Sequence, residues 1–234
     1  MFGAANLVRG LAQPQSRLRK RKHIDVLGDA QLTDRTSQFQ GRSIQIETEG
    51  DGLSIQGNGD FVFDSDFCIE FWTNLQYSYT GNQMIVTNRK TGQYNTGDFF
   101  IQWAAELMKF QWGIKGHTPV LTNNAQRYNQ WYHLALVRRN NQVQLYLDGQ
   151  ASGAAVNIDT TVGTDIIRVG LLGTGDSNRL VGNIEEIRVS DHSRYQADFT
   201  PQTEIYQNDE DTLLLIHANG EPGSQDINDD NYNE

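Results

Sequence analysis

The chain has 234 residues, a formal net charge of −10 and one cysteine, Cys68. That length suits one large domain with its own core and short tails. A lone cysteine excludes an intrachain disulfide framework and a cysteine-based zinc site. The acidic balance argues against a general nucleic-acid binder, whose phosphate partners demand a basic surface.

The charge is unevenly placed. Residues 1–23 hold six Lys/Arg and no acid, and residues 208–234 hold eight Asp/Glu and no Lys/Arg. Opposed ends of this kind read as interaction tails. The basic run Arg17, Arg19, Lys20, Arg21, Lys22 follows a short broken apolar stretch, whereas a secretory signal has its charges first. No apolar run approaches the ~20 residues of a membrane-spanning helix. The sequence therefore predicts no signal peptide and no membrane insertion.

In chain order, residues 1–38 read as an extended basic arm, in which Pro14 ends a short helical spacing of Phe2, Leu7 and Leu11. From about residue 40 the texture changes to short strands and glycine-rich turns. Ser43–Glu47 and Leu53–Gln56 alternate polar and apolar, separated by Gly50-Asp51-Gly52. Phe67–Leu75 places Phe67, Ile69, Phe71 and Leu75 on one face. Strands are predicted at Met84–Thr87, Phe99–Ala104 and Lys109–Ile114. Trp131–Arg138 is apolar on both faces and reads as a covered central strand. It forms a hairpin through Arg139-Asn140-Asn141 with Gln142–Gly149. Further strands are predicted at Ile166–Leu172, Ile184–Val189 and Thr212–Ile216. The expected fold is all-β, a two-sheet antiparallel sandwich. The expected organisation is an arm over 1–38, a sandwich over 39–220 and an acidic tail over 221–234.

Several of these strands resemble a known family in its own order. Phe67–Trp72 resembles the "DFTIEFW" strand of laminin-G-like domains of the concanavalin A-like lectin/glucanase superfamily. Trp131–Arg138 with Leu145–Gly149 resembles the hairpin of those domains. Gly182–Val189, Ser193-Arg194-Tyr195 with Phe199-Thr200-Pro201, and Leu213–His217 resemble their closing motifs. The resemblance covers roughly residues 40–220 and implies a jelly-roll sandwich. The last motifs together resemble modules of bacteriophage virion proteins. That likeness implies a virion structural or decoration protein of the capsid or tail, made in the host cytoplasm and present in multiple copies. Residues Arg17 to Lys22 would then contact other virion proteins.

Three chemistries follow from the resemblance. Glucanases of the superfamily carry spaced acidic residues along one strand, and no such spacing occurs here. Strand alternation places the adjacent Glu185 and Glu186 on opposite faces, with Glu186 and Arg188 sharing one. The chain is accordingly read as non-enzymatic. Calcium, which many relatives hold, would need several loop oxygens. Asp51, Asp60, Asp64, Asp66, Asp98, Asp165, Asp176 and Asp191 are in loops without an EF-hand spacing, so no cofactor is assigned and metal ligands stay unknown. Binding of a host surface glycan is the alternative function. Tyr77, Tyr79 and Tyr94, in Tyr77-Ser78-Tyr79 and Gln93-Tyr94-Asn95, are its candidate contacts, and Trp72, Trp103 and Trp112 are expected to pack in the sandwich. His133 is expected to be a strand-packing residue.

Overall fold

The computed structural model describes residues 20–39, 41–77, 81–89, 93–172 and 178–231. Its strands, in chain order, are β1 (Ile24–Leu27), β2 (Gln31–Thr33), β3 (Ser43–Ile46), β4 (Gly52–Gln56), β5 (Phe67–Leu75), β6 (Gln83–Thr87), β7 (Phe99–Ala104) and β8 (Lys109–Ile114). They continue with β9 (Val120–Leu121), β10 (Trp131–Arg139), β11 (Gln142–Leu147), β12 (Gln150–Ala151), β13 (Val156–Asn157), β14 (Ile166–Val169), β15 (Gly182–Ser190) and β16 (Thr212–Ile216). One 3-10 turn, Ala105–Leu107, joins β7 to β8.

These strands make two antiparallel sheets, as the alternation predicts. A seven-stranded sheet runs β1-β4-β14-β6-β7-β8-β9. The other has nine strands: β12-β11-β10-β5-β15-β3-β2, with β13 on β11 and β16 on β15. The inner faces meet in one core. β5 contributes Phe67, Ile69, Phe71 and Leu75, β7 and β8 contribute Trp103 and Trp112, and β15 contributes Ile184, Ile187 and Val189. Trp103 and Trp112 are buried there, as expected, and each buried aromatic of this kind stabilises the fold by about 2–3 kcal/mol.

The hairpin between β10 and β11 turns on Asn140 and Asn141, both in the left-handed region at φ 50° and 66°. That is the backbone of a two-residue type I′ turn, which asparagine tolerates. β10 lies between β11 and β5, and its outer face is covered by the segment after β15. Gly149, at φ 77°, lets that segment dock: the Phe199 N–H donates to the Gly149 carbonyl at 2.8 Å, and a Cβ at Gly149 would run into the Phe199 carbonyl.

Parts of the predicted arm and tail lie along the sheets. β1 pairs with β4 and β2 pairs with β3, so residues 24–33 belong to the sheets. Two strands of three or four residues, each next to charged neighbours, carry too little alternation to stand out in sequence. The acidic end lies along the sandwich as well. Gly223 donates its N–H to Leu32, and Asp230 donates to Leu215. The Asp229 carboxylate accepts the N–H groups of Lys22, Leu215 and Asn231 at 2.7, 3.1 and 3.0 Å. An acid used as a backbone acceptor cannot be told from a solvated one by composition.

Candidate functional site

Alternation that buries one face of the seven-stranded sheet leaves the other open. Ser54 and Gln56 of β4 and Arg168 of β14 point away from the core, between core residues Leu53, Ile55, Ile167 and Val169. Beside them, the loops after β6 and before β14 rise as walls. The result is a groove of about 500 Å³ lined by Ser54, Gln56, Asn88, Gln93, Asn95, Asp98, Thr164, Asp165, Ile166 and Arg168. All but Ile166 carry a hydroxyl, carboxamide, carboxylate or guanidinium, so the lining can both donate and accept hydrogen bonds along its length.

The groove is held in shape by its own polar groups. Asn88 is buried; its Oδ1 accepts the Phe99 N–H at 2.6 Å, and its Nδ2 donates to Thr164 Oγ1 at 3.0 Å and to Asp98 Oδ1 at 3.4 Å. The other Asp98 oxygen accepts the Asn95 N–H at 2.5 Å. Both Asp165 oxygens accept the Gly59 N–H, and Oδ1 also accepts that of Phe61. Arg168 donates from Nη1 to the carbonyls of Asn88 and Arg89, at 3.3 and 3.0 Å.

An aromatic and cationic strip flanks the groove. Tyr94, between the lining residues Gln93 and Asn95, packs with Met84, Phe100 and Leu172. The Arg89 guanidinium lies 4.2 Å from the Tyr94 ring centroid, and Lys115 Nζ lies 4.7 Å from it. Cation–π geometry of this kind is worth about 0.5–2 kcal/mol per pair. The Tyr94 hydroxyl and Arg89 Nε are buried without a hydrogen-bond partner among the described residues. Burial raises the Tyr94 pKa, the Arg89 charge partly offsets this, and the Asp98 charge adds to the rise.

The outer face of the nine-stranded sheet is different: where β5, β10 and β15 meet, its polar groups are buried beneath covering segments. Glu70 of β5, His133 of β10 and Arg188 of β15 meet there beneath Tyr195 and Tyr206. Arg188 Nη2 lies 2.7 Å from Glu70 Oε1, the Tyr195 hydroxyl donates to Glu70 Oε2 at 2.8 Å, and His133 Nε2 lies 3.3 Å from that oxygen. Burial alone would raise the Glu70 carboxyl; the hydrogen bond from His133 and the charge of Arg188 reverse this and hold it at about 2. His133 also lies 2.9 Å from the Tyr206 hydroxyl and edge-on to Trp72. It packs and bonds within the sheet, which matches its reading as a structural histidine.

One expectation is overturned on this face. Glu185 and Glu186 do not point to opposite sides. The pairing of β15 with β5 shifts register between Glu185 and Arg188, and Glu186 sits at φ 51°. This β-bulge puts both carboxylates on the side away from core residues Ile184 and Ile187. Glu185 Oε1 accepts the N–H groups of Gln38 and Phe39 at 2.6 and 3.1 Å. Glu186 accepts the Tyr206 N–H and bonds His217 Nδ1 at 2.9 Å. Both are buried beneath these segments, so they face backbone and not a substrate cleft.

The candidate site residues separate as follows. Tyr94 flanks the groove. Tyr77 is 70% exposed and packs edge-on against Tyr128 at 5.1 Å, in a cluster with Trp103. Tyr79 and Asp176, with Arg17 and Arg19, lie outside the described residues. Lys20 and Arg21 are exposed, and Arg21 Nε donates to the Asp229 carbonyl at 2.9 Å. Lys22 is buried, with its Nζ on the Asp60 carboxylate. Asp51 accepts the N–H groups of Asp29, Glu47 and Thr48, Asp64 accepts the Thr161 hydroxyl, and Asp66 accepts the Asn140 N–H and the Ser193 hydroxyl. Among the described residues no three His, Cys, Asp or Glu side chains converge as a metal-binding group. No helix among them is long and apolar enough to cross a membrane.

Sequence reasoning named Gln93, Asn95, Asp98 and Asp165 but not Ser54, Gln56, Asn88, Thr164 or Arg168. Three of those are polar positions on predicted strands and two sit just beside strands. The signal for Ser54, Gln56 and Arg168 is that they are hydrogen-bonding residues at outward positions of β4 and β14; Asn88 and Thr164 carry none.

A sandwich of this topology with an open polar face is the frame of a lectin-like domain. Residues 47–198 match the laminin-G family described as the concanavalin A-like lectin/glucanases superfamily, and the chain belongs to that family. Its fold is similar to that of the binding domain of botulinum neurotoxin serotype D, at TM-score 0.58 and 12% identity, over 74% of this chain and 44% of that one. It is also similar to that of a Bacteroides ovatus protein described as a "putative carbohydrate binding protein", at TM-score 0.54 and 14% identity, over 86% of this chain and 52% of that one. A third likeness is to Trypanosoma rangeli sialidase, at TM-score 0.54 and 13% identity, over 74% of this chain and 27% of that one. The chain thus spans about half of the first two and a smaller share of the third. A search of curated proteins finds no significant match.

Proposed function

We propose that this chain is a non-catalytic carbohydrate-binding module whose ligand lies in the groove on the seven-stranded sheet. The observation that carries this reading is the groove itself: open, about 500 Å³, lined by carboxamides, hydroxyls and a guanidinium beside an aromatic ring. Sugars present alternating hydroxyl donors and acceptors around an apolar ring face, and such a lining answers both. The likeness in fold to the Bacteroides ovatus protein described as a "putative carbohydrate binding protein" supports the same reading. The test is a glycan array probed with the full chain, followed by titration calorimetry on the best hit. The wild type is expected to bind, and Gln56→Ala with Asn95→Ala is expected to lose at least tenfold in affinity. An array flat with and without calcium refutes the proposal.

The motif likeness to bacteriophage virion modules supports a second reading about setting. In it, multiple copies decorate a capsid or tail, with the glycan groove outward and the basic run as anchor to other virion proteins. Lys22 is engaged by Asp60 and Asp229 within the chain and Arg21 bonds the Asp229 carbonyl, so anchoring falls to Arg17, Arg19 and Lys20. Changing these three to Gln is expected to abolish incorporation while leaving the folded domain and its Tm unchanged. Normal incorporation of that variant removes the anchoring idea.

A further inference from the structure

The groove is flanked by positive charge in a chain whose formal net charge is −10. Several basic side chains elsewhere are neutralised: Lys22, Arg35, Arg42, Arg188 and Arg194 each pair with a carboxylate. Around the groove three are not. Among the described residues, Arg89, Lys115 and Arg168 form no ion pair. They are contiguous: Arg168 bonds the Arg89 carbonyl, and Arg89 and Lys115 both stand against Tyr94.

The geometry of Arg168 is specific. Its Nη1 is fixed by the two carbonyls, Asn88 and Arg89. Nε and Nη2 have no acceptor among the described residues, and Arg168 lines the groove. That edge of a guanidinium is the fork that takes a carboxylate with two parallel N–H···O bonds. Partial burial of Arg168 lowers its pKa, which the Asp98 charge opposes, and the group remains a cation. Neither acid in the lining occupies that edge, although the Asp98 charge reaches the guanidinium. Asp98 is turned to Asn88 and the Asn95 N–H, and Asp165 to the loop N–H groups of Gly59 and Phe61.

We infer that the groove takes an acidic sugar, with the ligand carboxylate on the Nε–Nη2 edge of Arg168 and Arg89 and Lys115 supplying the surrounding field. This rests on the glycan-binding reading and names the class of glycan. A rigid, half-desolvated guanidinium rewards a carboxylate strongly, and a neutral sugar offered to the same edge gains only one or two ordinary hydrogen bonds.

The experiment is calorimetry with the full chain on matched oligosaccharides of equal length, one a galacturonan and one the neutral galactan, with a sulfated galactan as third arm. The galacturonan is expected to bind at least tenfold more tightly than the galactan. Its affinity is expected to fall as NaCl is raised, and Arg168→Gln is expected to remove that preference by weakening galacturonan binding at least fivefold more than galactan binding. Equal binding of acidic and neutral chains overturns the inference and leaves the glycan-binding reading standing. Tighter binding of the sulfated chain than of the galacturonan overturns the carboxylate fork. Uronate binding unaffected by Arg168→Gln also overturns it, because the charge would then be read elsewhere. No binding by any arm overturns the inference, and only a glycan array that is also flat removes the glycan-binding reading with it. Because Arg168 could also steady β14, Arg168→Lys serves as a second variant: it keeps the charge and loses the fork, and a drop in uronate affinity at unchanged Tm isolates the fork.

Discussion

Glu185 and Glu186 are neighbours in sequence and, through the bulge in β15, neighbours on one face of the sheet. Their shared burial has a measurable consequence. Desolvation is the main cause that pushes Glu185 up, the N–H groups of Gln38 and Phe39 offset part of it, and the Glu186 charge adds to it, leaving the carboxyl at about 8. A carboxyl raised in the folded state binds its proton more tightly there than in the unfolded chain. Its stabilisation is therefore complete below its ordinary value of 4.5 and is lost as pH rises to about 8. His217 acts in the same direction: burial lowers it, but the hydrogen bond to Glu186 together with the charges of Glu186 and Asp230 more than offsets this, so its contribution also fades with rising pH. Urea unfolding of the wild type should weaken between pH 5 and pH 8.5. Glu185→Gln keeps an acceptor for the two N–H groups and has nothing to ionise. At pH 8.5 it should be more stable than wild type by on the order of 2 kcal/mol, with only the His217 slope remaining. Identical pH profiles for the two proteins would refute the shared-burial account.

Glu70 runs the opposite way. Its carboxyl is held at about 2, so its contribution is present above 4.5 and is lost as pH falls toward 2. Breaking a buried pair from one side strands the other charge, at a typical cost of about 3–5 kcal/mol. Arg188→Met should cost about that much at pH 7, read from the denaturation midpoint. Glu70→Gln with Arg188→Met together should recover a large part of it. A double variant as unstable as the sum of the single ones would show that the two residues act independently.

Tyr94 offers a test that separates stability from binding. Its hydroxyl is buried without a partner among the described residues, and an unsatisfied buried hydroxyl costs about 1 kcal/mol or more. Tyr94→Phe should therefore hold or raise Tm, since ring packing on Arg89 and Phe100 is kept. Tyr94→Ala removes the ring, should lower Tm by a few degrees, and should weaken glycan binding through loss of the Arg89 perch. A lower Tm for Tyr94→Phe would mean that the hydroxyl is satisfied in solution.

Much of the sandwich was legible because its strands either alternate with a period of two or run apolar on both faces. Phe99–Ala104, Lys109–Ile114 and Thr212–Ile216 fall where alternation and apolar runs place them. β1 and β2 were not legible: both are short, β1 skips β2 and β3 to pair with β4, and β2 lies between β3 and the tail. The bulge at Glu186 was not legible either, since a non-glycine residue at positive φ leaves no mark in the pattern, and missing it inverted the predicted facing of Glu185. The groove was half legible. Gln93-Tyr94-Asn95 announces itself as a polar aromatic loop, whereas Arg168 reads as an ordinary outward strand residue until Asn88 and Arg89 are seen to hold its Nη1.

The junction of the two chain ends gives the last prediction. Asp229 is fully buried, and its carboxylate serves three N–H groups from three segments: Lys22 before β1, Leu215 in β16 and Asn231 in the tail. Burial raises its pKa, and those N–H groups with the Lys22 charge oppose the rise. Asp229→Ala leaves three buried donors without an acceptor, and each such loss costs roughly 1–3 kcal/mol less whatever water can enter. The variant should lose about 3 kcal/mol, while Asp226→Ala, exposed in the same tail, should lose less than about 0.5 kcal/mol. Both would remove one negative charge, so a loss driven by tail charge would appear equally in the two. A loss confined to Asp229 means that the acidic end acts as part of the sandwich, closing the chain start against β16.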